Sequence, residues 1–173
     1  SSRWSIKKNK ILVRDIALIG ILTAILFVQE QALTFLPNIQ LTVFLIVVYS
    51  KSLKLSHTMI IIFIHVILDN LLMGSFNLVY LPFMMIGWMM IPLLLNSLFK
   101  KVNDSFPLGL LGILFSFLYS WIMLIPQAFI TEVDLAAYWI ADIPFEILLA
   151  LSSFLTILWL YQPSIKVLQY LKS

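Results

Sequence analysis

Two pairs of ionisable residues have a spacing that could support chemistry. His65 and Asp69 lie four residues apart, as do Asp142 and Glu146, so each pair would share one face of a helix. An imidazole beside a carboxylate could be an oriented general base or half a metal site. We favour a structural hydrogen bond that joins the helix of His65 to a neighbour. Because two carboxylates on adjacent turns repel each other, one of Asp142 and Glu146 is expected to be protonated or paired with a ligand or donor.

The sequence lacks the other parts of a known catalytic or metal site. It has no cysteine and only two histidines, His57 and His65. It contains no Gly-x-Ser-x-Gly elbow, no His-Glu-x-x-His pair, no P-loop and no Gly-x-Gly-x-x-Gly turn. One imidazole with carboxylates is also a poor ligand set for a metal ion. We therefore expect neither catalysis nor a bound metal, and an intramembrane enzyme using His65 and Asp69 is a weaker alternative.

The composition indicates an integral membrane protein. Hydrophobic residues make up 62% of the 173 positions and charged residues 11%, whereas soluble domains have roughly 45–50% and 25%. A soluble fold could not bury that much apolar surface. The chain has the length of one domain, so we predict a single transmembrane domain over residues 1–173.

Apolar segments separated by turn-like residues predict six transmembrane helices. Their approximate ranges are 11–36, 41–53, 57–73, 78–99, 106–130 and 136–161. The second range would form a helix of about 20 Å, shorter than the roughly 30 Å hydrocarbon core. We therefore expect it to be tilted, partly re-entrant or shielded by its neighbours. Pro163-Ser164 is expected to break the helix after the last span.

The positions of the basic residues predict the orientation. All eleven lysines and arginines occur in the N-terminal segment, the second and fourth connections, or the C-terminal segment. With six spans, these four segments lie on one side of the membrane, which the positive-inside rule makes cytoplasmic. Both termini are therefore predicted to be cytoplasmic.

The acidic residues show the opposite distribution. Six of the eight belong to the outer half or to the span interiors: Glu30, Asp69, Glu132, Asp134, Asp142 and Glu146. An ionisable side chain within a span is costly and usually faces the bundle interior or a wet cavity. The sequence therefore predicts a polar pocket in the outer half, with no cation to match the acids.

A stripe of small residues lies along the first span. Gly20 and Ala24 are four residues apart, and Ala17 lies about one turn earlier. Small residues on one face allow another helix to approach closely. The partner could be a helix of this chain or of another protein, and spacing alone favours a helix of this chain.

With this stripe, the six spans and the segments Pro37–Val43 and Leu68–Asn77, the whole chain resembles the substrate-binding S component of energy-coupling factor (ECF) vitamin transporters. The resemblance implies an all-α, six-helix S-component-like bundle in a bacterial plasma membrane. It also implies capture of a vitamin or precursor from outside and delivery to a transmembrane coupling protein that two ATPase subunits energise. ATP would be used by those partners, and this chain would bind no cofactor itself.

The resemblance further implies two sets of functional residues. The family's Ala-x-x-x-Ala docking stripe corresponds to Gly20 and Ala24, with Ala17 beside them and glycine in place of the first alanine. The family's ligand pocket would be formed by the loops after spans one and three and by spans four to six. Those elements supply Asn38, Gln40, Ser75, Asn77, Tyr80, Trp88, Trp121, Gln127, Tyr138, Trp139, Asp142 and Glu146.

The identity of the ligand is less constrained. An outer half with acids and amides but no cation favours neutral or cationic ligands over carboxylates or phosphates. Cobalamin is our first expectation, ahead of a queuosine precursor, a thiamine-like or a riboflavin-like ligand. The main alternative is a self-sufficient secondary transporter, for which the sequence shows acids but no internal repeat. A purely structural protein would leave the outer acids unexplained.

Overall fold

The computed structural model describes residues 2–33, 41–72, 78–130 and 134–172, which form six α-helices and no strand. The helices are α1 (Ser2–Ala32), α2 (Thr42–Ser52), α3 (Leu55–Leu72), α4 (Tyr80–Leu95), α5 (Ser105–Ile130) and α6 (Leu135–Lys172). Each predicted span corresponds to one of them. The all-α fold class is therefore confirmed.

Three of the helices are long and apolar enough to cross a membrane. They are α3, α5 and the part of α6 from Leu135 to Leu171, while α2 and α4 are apolar but shorter. Large apolar side chains also lie on the outside of the bundle, such as Phe129, which is 74% exposed. These features support a helical membrane protein. The count of six crossings and the cytoplasmic location of both termini remain predictions.

Three helix boundaries differ from the predicted spans. Helix α1 already begins at Ser2, because polar and basic residues can continue a helix beyond the apolar span. Helix α4 ends at Leu95, before a turn that continues to Lys101. The predicted break at Pro163 is wrong, because α6 continues through it to Lys172. Beyond the proline, Leu168 is 5% exposed and packs into the hydrophobic core, and this packing offsets the cost of a proline within the helix.

The short helix α2 lies at the centre of the bundle. It contacts each of the other five helices. Eight of its 11 residues are buried: Thr42, Val43, Phe44, Ile46, Val47, Val48, Tyr49 and Ser50. Of the three expectations for this segment, shielding by neighbours is the one that the structure confirms. Because the other helices cover α2, its short length exposes little backbone to lipid.

Two side chains hold α1 against α2. At one end, Gln29 accepts a hydrogen bond from the Leu41 backbone N–H at 2.8 Å and donates to Thr42 Oγ1 at 3.0 Å. Further along, the Tyr49 hydroxyl donates to the Leu22 carbonyl at 2.9 Å. The two helices therefore run antiparallel.

Helices α5 and α6 form the most extensive helix pair. Their Ser116 and Ser153 hydroxyl oxygens are hydrogen-bonded at 3.0 Å. A Cβ atom added at Gly112 would lie 2.6 Å from Ile157 Cδ1, and one at Gly109 would lie 3.0 Å from Phe154 Cδ2. The two glycines therefore let α6 approach α5 more closely than a side chain would permit.

The basic segments meet at one end of the bundle. Lys51 Nζ donates to the carbonyls of Phe99 at 3.1 Å and Lys100 at 3.4 Å, so the second and fourth connections are in contact. Arg14 Nη2 donates to the Leu171 carbonyl at 2.7 Å, which joins the first part of α1 to the end of α6. We call this end of the bundle the basic end, and the end where α1, α3 and α5 finish the acidic end.

Cysteine labelling can test the predicted topology, because the natural chain has no cysteine. Cysteines replacing Lys54 and Lys101, both exposed at the basic end, should react with an impermeant maleimide only from the cytoplasmic side. A cysteine replacing Leu78, which is 71% exposed beyond the end of α3, should react only from outside. Reaction of positions 54 and 101 from opposite sides would contradict the six-span topology.

Candidate functional site

The acidic end concentrates carboxylates on three helices. Glu30 lies on α1, Asp69 on α3, and Asp142 and Glu146 on α6. Every lysine and arginine of the sequence lies in the segments of the basic end. The predicted separation of charges therefore holds for the described helices, and His65 is the one titratable base near these acids.

A contact between Glu30 and His65 joins α1 to α3. His65 Nε2 lies 3.1 Å from Glu30 Oε2, and the two side chains are 1% and 22% exposed. Asp69, one turn beyond His65, interacts electrostatically with both groups. His65 was predicted to join its helix to a neighbour, and its partner in the structure is Glu30. Within the described residues, no group of three or more histidine, aspartate and glutamate side chains could hold a metal ion.

A stacked aromatic pair joins α4 to α5 beside this cluster. The Trp88 and Tyr119 rings have centroids 3.7 Å apart and planes at 18°. Gly87 makes room for the pair, because a Cβ atom there would lie 2.6 Å from Tyr119 Cδ2. The Tyr119 hydroxyl also interacts electrostatically with Glu30 and Asp69. Tyr119 therefore lies between the Glu30–His65 contact and the cavity described next.

A mostly polar cavity of about 200 Å³ lies between α5 and α6. It is lined by Tyr119, Ser120, Met123, Gln127, Tyr138 and Asp142, together with Leu149. Three predicted ligand-binding residues therefore meet there: Gln127, Tyr138 and Asp142. Its volume is below the roughly 300–1,000 Å³ of sites for drug-sized ligands, so a small molecule fits it best.

Asp142 and Glu146 lie on the same face of α6, as their spacing predicted. Asp142 lines the cavity, and so does Leu149, which follows Glu146 by about one turn. Glu146 is 1% exposed, and its Oε1 has no hydrogen-bond partner among the described residues. The two carboxylates interact electrostatically. This part of α6 thus carries two carboxyl groups one turn apart, and no lysine or arginine lies near them in the chain.

The remaining predicted aromatic residues lie elsewhere. Trp88 is buried and stacks on the Tyr119 ring. Tyr80, at the start of α4, interacts electrostatically with Tyr138. Trp121 and Trp139 line a different, apolar groove of about 570 Å³. They are 45% and 40% exposed, as expected for residues that face lipid. Trp121 is six residues from Gln127 and so lies on a different face of α5, whereas Trp139 is one turn before Asp142 and lines the neighbouring groove.

Four predicted ligand-binding residues lie outside the described residues. They are Asn38 and Gln40 after α1, and Ser75 and Asn77 after α3. Their part in the site stays a prediction.

Sequence reasoning missed the cavity residues of α5 other than Gln127. Tyr119, Met123 and Gln127 follow one another at intervals of four residues, and Ser120 adjoins the same face. This spacing was available as a signal, because any residue four or eight positions before a predicted pocket residue shares its face. The spacing was overlooked because most of the neighbouring residues in this segment are apolar.

The chain shows no significant match to any protein-family model, to any curated protein or to any solved structure. The functional assignment therefore depends on the residues of this chain and on the site that they form.

Substitution of Gly87 should test whether Tyr119 depends on the space beside it. In Gly87→Ala, the new methyl group would collide with the Tyr119 ring, so we expect a loss of about 1–3 kcal/mol in stability, as for other overpacked cores. The thermal melting of the detergent-purified protein would measure it. Gly20→Ala is the matched control, since a Cβ atom at Gly20 has no neighbour within 4 Å. Equal melting temperatures for both variants would contradict the tight fit.

Proposed function

We propose that this chain is the membrane-embedded substrate-binding subunit of an ECF-type importer in a bacterial plasma membrane. It would capture a vitamin or vitamin-like micronutrient from outside and deliver it to a transmembrane coupling protein energised by two ATPase subunits. The observation that carries this proposal is the polar cavity between α5 and α6, with Asp142 and two tyrosines in its wall. A recess of this kind suits the binding of a small solute. The proposed role includes no catalytic step and no cofactor bound by the chain itself.

The surface of α1 supports docking on a coupling protein. Ala17, Gly20 and Ala24 are exposed, and no described atom lies within 4 Å of a Cβ atom built on Gly20. From spacing alone, packing within the chain was the favoured interpretation of this stripe. That interpretation is wrong for the described helices, which leave these residues uncovered. A face that lets backbones approach closely is suited to a helix from another subunit.

The size of the cavity bears on the choice of ligand. About 200 Å³ suits the smaller candidates, such as a thiamine-like compound or a queuosine precursor, better than a molecule the size of cobalamin. We therefore place these smaller ligands ahead of cobalamin in the proposed function.

A self-sufficient secondary transporter is the second candidate function. The 3.1 Å contact between Glu30 and His65 favours it, because buried protonatable groups commonly carry the coupling ion in such proteins. Uptake by this chain alone in proteoliposomes, driven by a proton or sodium gradient, would decide for this candidate.

Native mass spectrometry of the detergent-purified protein is the most direct test of ligand capture. We expect a bound molecule of vitamin size that dissociates on activation. The same spectrum recorded for Asp142→Ala should show little or no bound molecule, because this carboxylate lines the cavity. Trp139→Ala serves as the control and should retain the ligand, since Trp139 lines the separate groove. Unchanged occupancy in Asp142→Ala would argue against this cavity.

Bulky substitutions on α1 test the docking face. Gly20→Leu and Ala24→Leu should abolish co-purification with a co-expressed coupling protein, because leucine side chains keep the partner helix at a distance. Ligand binding should persist in both variants. Ala128→Leu makes a comparable change at an exposed position of α5 and should keep the partner. Retention of the coupling protein by both α1 variants would refute docking through this face.

A further inference from the structure

The charges around the cavity narrow the class of ligand. Asp142 lines the cavity, and Glu146 lies one turn away on the same face of α6. No lysine or arginine lies on this part of the chain, and His65 is in contact with Glu30 on another helix pair. The protein therefore supplies no cationic side chain to the two carboxylates of α6.

The lack of a cationic partner matters most for Glu146, because this carboxylate is buried in the bundle. The side chain is 1% exposed, and Oε1 has no hydrogen-bond partner among the described residues. A buried carboxylate without a partner is costly, and proteins usually balance one with a proton, a cation or a set of hydrogen-bond donors. Its position beside Asp142 and the cavity makes a bound ligand a suitable source of the missing charge.

The aromatic side chains of the cavity suit the same kind of ligand. Tyr119 and Tyr138 both line it, and stacking on Trp88 holds the Tyr119 ring in place. The face of an aromatic ring attracts a cation, and the attraction is stronger where water is excluded. Ser120 and Gln127 add neutral hydrogen-bonding groups for the rest of the molecule. The cavity therefore combines one carboxylate, two rings and neutral polar groups, with no lysine, arginine or histidine among its described lining residues.

From these observations we propose that the cavity binds a small organic cation. Its positive group would contact Asp142, with the Glu146 carboxylate one turn away adding to the attraction, and its apolar part would lie between Tyr119 and Tyr138. This inference rests on the proposed function, because it names the chemical class of the solute that the subunit captures. A neutral ligand, hydrogen-bonded to protonated carboxyl groups, is the competing outcome.

Matched pairs of probes can separate charge from shape. The full chain in detergent would be titrated calorimetrically at neutral pH with phenethylammonium and phenethyl alcohol, and with N-methylpyridinium and pyridine. We expect the cation of at least one pair to bind more tightly than its neutral partner by about tenfold or more, equivalent to about 1.4 kcal/mol. Asp142→Asn and Glu146→Gln keep the shape of the side chains but remove the charge, so each should abolish most of this preference.

Asp104→Asn is the control variant, because Asp104 is exposed at the basic end and should leave the preference unchanged. Thermal melting would show that each variant folds, and if Glu146→Gln does not, the partly buried Asp142 decides the question alone. Equal binding of the members of each pair, or a preference that survives both charge-removing variants, would overturn the inference. Failure of all four probes to bind at millimolar concentration would also overturn it. Capture of a neutral molecule, seen by native mass spectrometry, would then leave the proposed function intact.

Discussion

The structure depends on the cost of placing polar groups where a bilayer offers no water to solvate them. Such groups need partners inside the bundle. Gln29 bonds to the start of α2, Tyr49 bonds to the Leu22 carbonyl, and the Ser116 and Ser153 hydroxyls bond to each other. These bonds also fix the neighbouring helices relative to one another. The Glu146 Oε1 atom lacks such a partner among the described residues, and it belongs to a side chain one turn from Asp142, which lines the cavity.

The two proposed functional surfaces lie on different helices. The cavity is formed by α5 and α6, which also pack closely at Gly109 and Gly112, further along the two helices. The docking face belongs to α1, which packs mainly against α2 and α3; its hydrogen bond to α6, from Arg14 to the Leu171 carbonyl, lies at the basic end, away from the cavity. Substitutions on α1 can therefore alter partner docking without touching the ligand. Helix α2 contacts both groups of helices, so it is one element through which a change on one side could reach the other.

Three of the seven residues that line the candidate site were predicted from residue type and spacing. Asp142, Tyr138 and Gln127 were predicted together because they are polar residues of the outer half on neighbouring spans, and in the structure they line one cavity. Trp121 and Trp139 were grouped with them because aromatic residues near the outer boundary serve both pockets and lipid interfaces. The structure separates the two uses, since these tryptophans line an apolar, exposed groove. Residue type does not distinguish a pocket residue from a lipid-facing one. The placement of each helix against its neighbours decides which it is.

The sequence by itself determined six helices, the accumulation of basic residues in four segments, and the shared face of Asp142 and Glu146. These are properties of hydropathy and periodicity within one segment, which need no knowledge of neighbours. Only the tertiary structure decided that α2 is shielded on all sides, that His65 contacts Glu30, that Tyr119 faces the cavity and that the stripe on α1 is uncovered. Each of these facts depends on how one helix is rotated and placed against another. That arrangement follows from the packing of all six helices together, and no local pattern encodes it.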